Sequence, residues 1–315
     1  MIARKFLLVA VGLVALPAAA SAQDRGDRLH IDMPGLSTYA PAQATSPLAT
    51  AGLGRITLAA QLVGDGAEIT RGLVWRVFDT EAGPDGKLKL VASAKGGTQS
   101  FDLMPGQYLV HASYGRAGAT KRVSVGSDAK REAFVLDAGG LKLNAENSGG
   151  LRIPGNKLSF SVYQGDDKPG AERALILPDI SPDTVIRLNA GTYHVVSTYG
   201  NVNAVVRSDI KVEAGKLTEA TVEHRAAELT MKLVREAGGE AIADTSWSVL
   251  TNSGDPVRES VGAYASMVLA EGDYTIVAKN RDHIYQRDFT VEAGRNEEVE
   301  VIADENVPPA VEGAD

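Results

Sequence analysis

Chemistry in this 315-residue chain would have to come from five histidines and a scatter of acids, because it has no cysteine. His30, His111, His194, His224 and His283 include no pair at metal-ligand spacing such as His-X-X-X-His. The absence of cysteine removes disulfides, thiolate metal sites, a sulfur nucleophile and a lipid-anchoring cysteine. No Gly-X-Ser-X-Gly elbow, phosphate-binding loop or zinc-protease helix is present. Asp65, Asp85 and the pair Asp166-Asp167 fall in turn sequences, where aspartate bonds its local backbone, and none has the spaced array of a calcium loop. The expectation is a protein that is not an enzyme and holds neither metal nor cofactor.

What must be positioned is instead a repeated turn. Leu103-Met104-Pro105-Gly106-Gln107-Tyr108 returns as Leu188-Asn189-Ala190-Gly191-Thr192-Tyr193 and as Leu269-Ala270-Glu271-Gly272-Asp273-Tyr274. Each copy runs into an alternating segment that places Tyr108, Val110 and Ala112 on one face, and likewise Tyr193, Val195, Ser197 and Tyr274, Ile276, Ala278. His111 and His194 then fall on the opposite, solvent-facing side. Upstream, Trp75 and Phe160 each stand 31 residues before their glycine, and Trp247 stands 25 before its own. Downstream, Ile210-Lys211-Val212-Glu213-Ala214-Gly215 parallels Phe289-Thr290-Val291-Glu292-Ala293-Gly294, with a looser Val123-Ser124-Val125-Gly126 in the first copy. Anchors repeated in one order at near-constant spacing imply tandem duplication.

Within a copy the pattern is short period-two runs between turn signals such as Gly64-Asp65-Gly66 and Pro84-Asp85-Gly86, with no sustained helical stripe. The fold class is therefore all-β: three tandem immunoglobulin-like or transthyretin-like β-sandwiches over 55–139, 140–227 and 228–304. Repeats of this size can each close a core without staples, so three beads on a short-linked rod are expected. The aromatics Trp75, Phe160 and Trp247 are read as filling the space between sheets. The motif glycine is read as taking a backbone angle closed to other residues. The tyrosine two positions on is read as returning its hydroxyl to nearby backbone, as in a tyrosine corner.

The ends read differently. Arg4 and Lys5, the apolar run Phe6–Leu16 and Ala20-Ser21-Ala22 form a cleavable secretory signal over 1–22, too short for a membrane span of roughly 20 residues. This implies a periplasmic or secreted protein with no membrane span. Residues 23–54, with Pro34, Pro41 and Pro47, read as a flexible leader, and 305–315 as a disordered acidic tail. The formal charge of −8 becomes −10 once Arg4 and Lys5 are removed, which opposes affinity for nucleic acid or anionic lipid.

The Leu-X-Pro-Gly-X-Tyr turn, the alternating strand after it and the following Val-X-Val resemble carboxypeptidase-regulatory-like and PEGA-type modules. The turn is also similar to one in fibronectin type III domains. Proline is kept only in the first copy, at Pro105, and Tyr-Gly only at Tyr114-Gly115 and Tyr199-Gly200. The resemblance implies non-catalytic modules for binding, spacing or display.

The candidate binding residues lie in the loops after the motif strands: Tyr114 and Arg116, Tyr199 and Asn201, Arg281 and His283. The expected role is binding or spacing of envelope components, with an envelope protein as partner. The alternative is a carbohydrate or peptidoglycan binder with cell-wall polysaccharide as its ligand. That alternative needs Tyr114, Tyr199, Tyr264 and Tyr285 to present at least two rings on one face.

Overall fold

A computed structural model describes residues 52–165 and 173–304. The signal, nearly all of the leader, Asp166-Asp167 and the acidic tail lie outside the described residues.

Apart from one 3-10 turn at Gly155–Lys157, the described chain is built of strands. The first sandwich comprises β1 (Gly54–Gln61), β2 (Leu73–Ala82), β3 (Leu88–Gly96), β4 (Gln99–Leu103), β5 (Gly106–Tyr114), β6 (Ala117–Val125) and β7 (Lys130–Val135). The second comprises β8 (Ala138–Asn147), β9 (Leu158–Gln164), β10 (Leu175–Ile180), β11 (Val185–Asn189), β12 (Gly191–Tyr199), β13 (Ala204–Val212) and β14 (Leu217–His224). The third comprises β15 (Ala226–Val234), β16 (Thr245–Thr251), β17 (Pro256–Val261), β18 (Tyr264–Ala270), β19 (Gly272–Asn280), β20 (His283–Val291) and β21 (Glu297–Ile302).

Each sandwich packs a three-stranded sheet on a four-stranded one, and the strand orders repeat. They are β4-β1-β7 with β3-β2-β5-β6, then β11-β8-β14 with β10-β9-β12-β13, then β18-β15-β21 with β17-β16-β19-β20. The topology left open by the sequence is thereby fixed. In every copy the first and last strands are parallel neighbours: β1 with β7, β8 with β14, β15 with β21. A chain that enters and leaves along parallel strands enters at one end of the sandwich and exits at the other. Successive copies must then follow one another lengthwise.

Alternation drives the burial. Trp75, Phe160 and Trp247 are almost wholly buried, each within its own cluster of apolar side chains. The two indoles also spend their N–H groups, Trp75 Nε1 donating to Gly97 O at 2.8 Å and Trp247 Nε1 to Gly262 O at 2.9 Å. Phe160 has no such group to satisfy, so the middle copy needs no counterpart.

The tyrosine corner is present three times. Tyr108 Oη donates to Met104 O, Tyr193 Oη to Asn189 O and Tyr274 Oη to Ala270 O, each at 2.9 Å. The expected glycine angle holds only in part. Gly191 and Gly272 have φ of +156° and +150°, but Gly106, the copy preceded by Pro105, does not take a positive φ.

Candidate functional site: the inter-domain joints

Only Leu136-Asp137 separates β7 from β8, and only Arg225 separates β14 from β15. Connections this short force the end of one sandwich against the start of the next. The hairpin tips after the motif strands lie at those ends.

At the first joint the β5–β6 tip meets β11 of the second sandwich. Arg116 donates its backbone N–H to Arg187 O at 3.0 Å. Asn189 clasps the hairpin from the other side. Its Oδ1 accepts from Gly118 N at 3.2 Å, and its Nδ2 donates to Gly118 O at 3.1 Å and to Leu136 O at 2.6 Å. The Arg187 guanidinium lies 4.4 Å from the Tyr114 ring centroid, a cation–π contact. Main-chain bonds from Ala190 N to Asp137 O (2.7 Å) and from Gly215 N to Ala138 O (2.8 Å) hold the connector.

The second joint repeats the plan with different atoms. Asn203, on the β12–β13 tip, accepts from Ala270 N at 3.0 Å and donates to Tyr274 Oη at 2.8 Å. Ala270 is the register equivalent of Asn189, since Leu188 and Leu269 pair with Gly139 and Ala227. The clasping amide has thus moved from the receiving sandwich to the inserted hairpin. Val202 packs against the core of the third sandwich and Val268 against that of the second, so the two cores interlock. The connector is held by Glu271 N to Arg225 O and Gly294 N to Ala226 O, both 2.9 Å. Ion pairs flank it, with Arg225 Nε 2.5 Å from Glu271 and Lys157 Nζ 2.6 Å from Glu228.

Close approach explains the Tyr-Gly pairs. Gly115 and Gly200 have φ of +67° and +72°, and an added Cβ would stand 3.0 Å from Arg187 Cβ and 2.8 Å from Val268 Cβ. The third tip carries Arg281 in that place, with φ +54°. The turn glycines Gly215 and Gly294 are joint residues too, facing Val63 and Asn147 of the preceding sandwich. The first copy has Gly126-Ser127-Asp128 where those turns lie, which accounts for its looser match.

The sequence-derived binding residues therefore divide. Tyr114 is half-buried under Arg187, and Arg116 acts through its backbone while its side chain is exposed. Tyr199 is buried, its ring edge-on to His224 at 5.8 Å. Asn201 is exposed at the turn of the second joint's hairpin. Arg281 and His283 sit on the third tip, His283 stacked on Tyr285 at 6.2 Å. Tyr264 is exposed on β18 of the three-stranded sheet, whereas Tyr285 is half-buried on β20 of the four-stranded one. The four tyrosines share no face. A groove of about 360 Å³ beside the first joint is lined by Leu62, Val63, Ile69, Arg71, Tyr114 and Gly215.

Three of the four described histidines are held by local bonds. His111 bonds Thr120 Oγ1 at 2.9 Å, and His194 bonds Asp209 Oδ1 at 2.7 Å, both on the outer face of their sheets. His224 was not singled out by the sequence pattern. It is 1 % exposed and bonds Ser197 Oγ at 2.7 Å, and burial pulls its pKa down to about 4. The signal was a polar residue where the other copies have Leu136 and Ala303. Among the described residues, no three His, Cys, Asp or Glu converge as a metal site, and no helix is long and apolar enough to cross a membrane.

Residues 228–303 match the Rhizobiales growth-associated tandem repeat domain. That span is the third sandwich, and the family is neither of the two module types the turn resembled. No curated protein sequence matches the chain. Among solved structures, the minor pilin GBS52 of Streptococcus agalactiae is 14% identical over 54% of this chain and 95% of its own, with a TM-score of 0.31. The major pilin BcpA of Bacillus cereus is 12% identical over 80% of this chain and all of its own, at 0.21. The Bacillus anthracis TIE protein is 18% identical over 80% of this chain, at 0.24, and this chain spans only 50% of that protein. The assignment of three sandwiches rests on the strand registers themselves.

Proposed function

We propose that this chain is a non-enzymatic structural element of the cell envelope, exported by its N-terminal signal, which holds partner proteins at a set separation. The observation that carries this reading is where the hairpin tips go. A sandwich that binds through its loops leaves them free on a rigid scaffold. Here two of the three tips are spent on joints, through Asn189 and Asn203. Interlocked cores and connectors of one or two residues suit a spacer better than independently swivelling binding modules. The carbohydrate reading lacks its platform, because the tyrosines that would supply it are divided among joints and separate sheets.

The test is in-cell crosslinking from exposed positions on the outer sandwiches, with the captured species identified. The spacer reading expects different envelope proteins captured from the first and third sandwiches. Capture of cell-wall glycan in place of protein would overturn it.

A further inference from the structure

Charge is not spread evenly along the array. Between residues 54 and 137, eleven basic residues stand against nine acidic ones; between 226 and 304, seven basic stand against fifteen acidic. Part of the difference lies on equivalent surfaces, the solvent faces of the four-stranded sheets.

On the first sandwich, three cross-strand rows form the face opposite Trp75 and Val77. They are Lys95–Val74–Ser113–Gly118, Ser93–Arg76–His111–Thr120 and Leu90–Phe78–Leu109–Arg122. Lys95, Arg76 and Arg122 are exposed, no acid belongs to these rows, and none of the three makes an ion pair among the described residues. Leu90, 49% exposed, and half-buried Phe78 and Leu109 lie among them. The third sandwich presents Val261–Ser246–Lys279–Ile284, Glu259–Ser248–Val277–Gln286 and Leu250–Thr275–Asp288 at the same positions, with Asp273–Thr290 beyond. Asp288 thus stands where the first sandwich has Arg122, and Glu259 where it has Ser93. The apolar members Val261 (75% exposed), Leu250, Val277 and Ile284 are again exposed or half-buried among the charges. The second sandwich's face is mixed, with Arg207 and Lys211 beside Asp209.

We propose that the occupant of the cationic face of the first sandwich is a second copy of this chain, docked through the acidic face of its third sandwich. Both faces are built on strands and both set apolar side chains among charges. The first carries only cations, while on the third Glu259, Asp273 and Asp288 outnumber the single cation Lys279. At the one position charged in both, Arg122 against Asp288, the signs are opposite. Opposed potentials steer such an encounter and fix its register, while the apolar residues supply the contact that is removed from water. The same opposition disfavours pairing of two first sandwiches or of two third sandwiches. The contact needs only these two sheet faces and stands whether or not the joints are rigid.

The experiment is sedimentation velocity of the purified chain at about 50 mM and about 500 mM salt, between which the screening length falls from roughly 14 Å to roughly 4 Å. Self-association is expected at low salt and weakens at least about tenfold at high salt. R76E/R122E abolishes it, and adding E259R/D288R to the same chain restores it by inverting both faces. All four positions are exposed, and an unchanged melting temperature checks folding. A chain that stays monomeric at low salt overturns the proposal. So does association that R76E/R122E leaves intact, or a quadruple variant that fails to re-associate while still folded. Binding of the monomer to anionic phospholipid vesicles through Arg76 and Arg122, with no self-association, would assign the face to a lipid surface and overturn it as well.

Discussion

Asn203 Nδ2 donates to Tyr274 Oη at 2.8 Å, and that same hydroxyl donates to Ala270 O at 2.9 Å. The corner of the third sandwich is thereby tied to a hairpin of the second. Asn203→Ala removes both bonds of the amide and leaves Ala270 N without its partner. The expected cost is about 1–3 kcal/mol, the range for an unsatisfied buried donor. Urea denaturation should show it as an earlier loss of the third sandwich, and an unchanged midpoint would contradict the clasp.

Gly200→Ala should act through contact as well as backbone. The residue has φ +72°, and its new Cβ would lie 2.8 Å from Val268 Cβ. Gly254 has φ +85° with open space around the same atom, so Gly254→Ala measures the backbone cost alone, roughly 1 kcal/mol. Gly200→Ala is expected to exceed it by at least about 1 kcal/mol, the lower bound for overpacking. Equal losses in thermal melts would mean that the hairpin does not dock as described.

The corner hydroxyl can be deleted with little else disturbed. Tyr193→Phe removes the bond to Asn189 O and is expected to destabilise the middle sandwich by about 1 kcal/mol. A melting curve unchanged for that sandwich would count against the corner.

His224 makes stability depend on acid. Burial lowers its folded pKa from 6.5 to about 4, so between those values the unfolded chain binds more protons than the folded one. Stability is then fully present above pH 6.5 and falls as pH drops towards 4, by about 2–3 kcal/mol from one such group. His224→Leu with Ser197→Ala replaces the buried pair by the residues of the first sandwich, Leu136 and Ala112. The double variant should flatten this slope in denaturation curves across the window, and an undiminished slope would assign it elsewhere.

The corners, core aromatics and repeats could be read from the chain because each depends on spacing within one copy. Period two puts Tyr108, Tyr193 and Tyr274 on buried faces whatever the neighbouring sandwich does. The joints could not be read in that way. The clasping amide is Asn189 in one joint and Asn203 in the other, so no repeated residue marks the clasp itself. Tyr114-Gly115 and Tyr199-Gly200 do stand out in the sequence, where they read as candidate binding loops. The physical reason for the glycine is a neighbouring domain's Cβ, which a single copy cannot show. The cationic face was hidden by net charge, since a total of −8 conceals Lys95, Arg76 and Arg122 converging from three strands.

The central claim, that clasped joints fix the three sandwiches as one element, is tested most directly by a spin-label distance between the outer two. The chain has no cysteine, so Val135→Cys and Ile302→Cys, partly exposed equivalents on β7 and β21, give clean labelling. Measured at high salt, the pair should show one narrow distance distribution, which broadens when Asn189→Ala and Asn203→Ala are added. A distribution already broad with both asparagines in place would contradict the account.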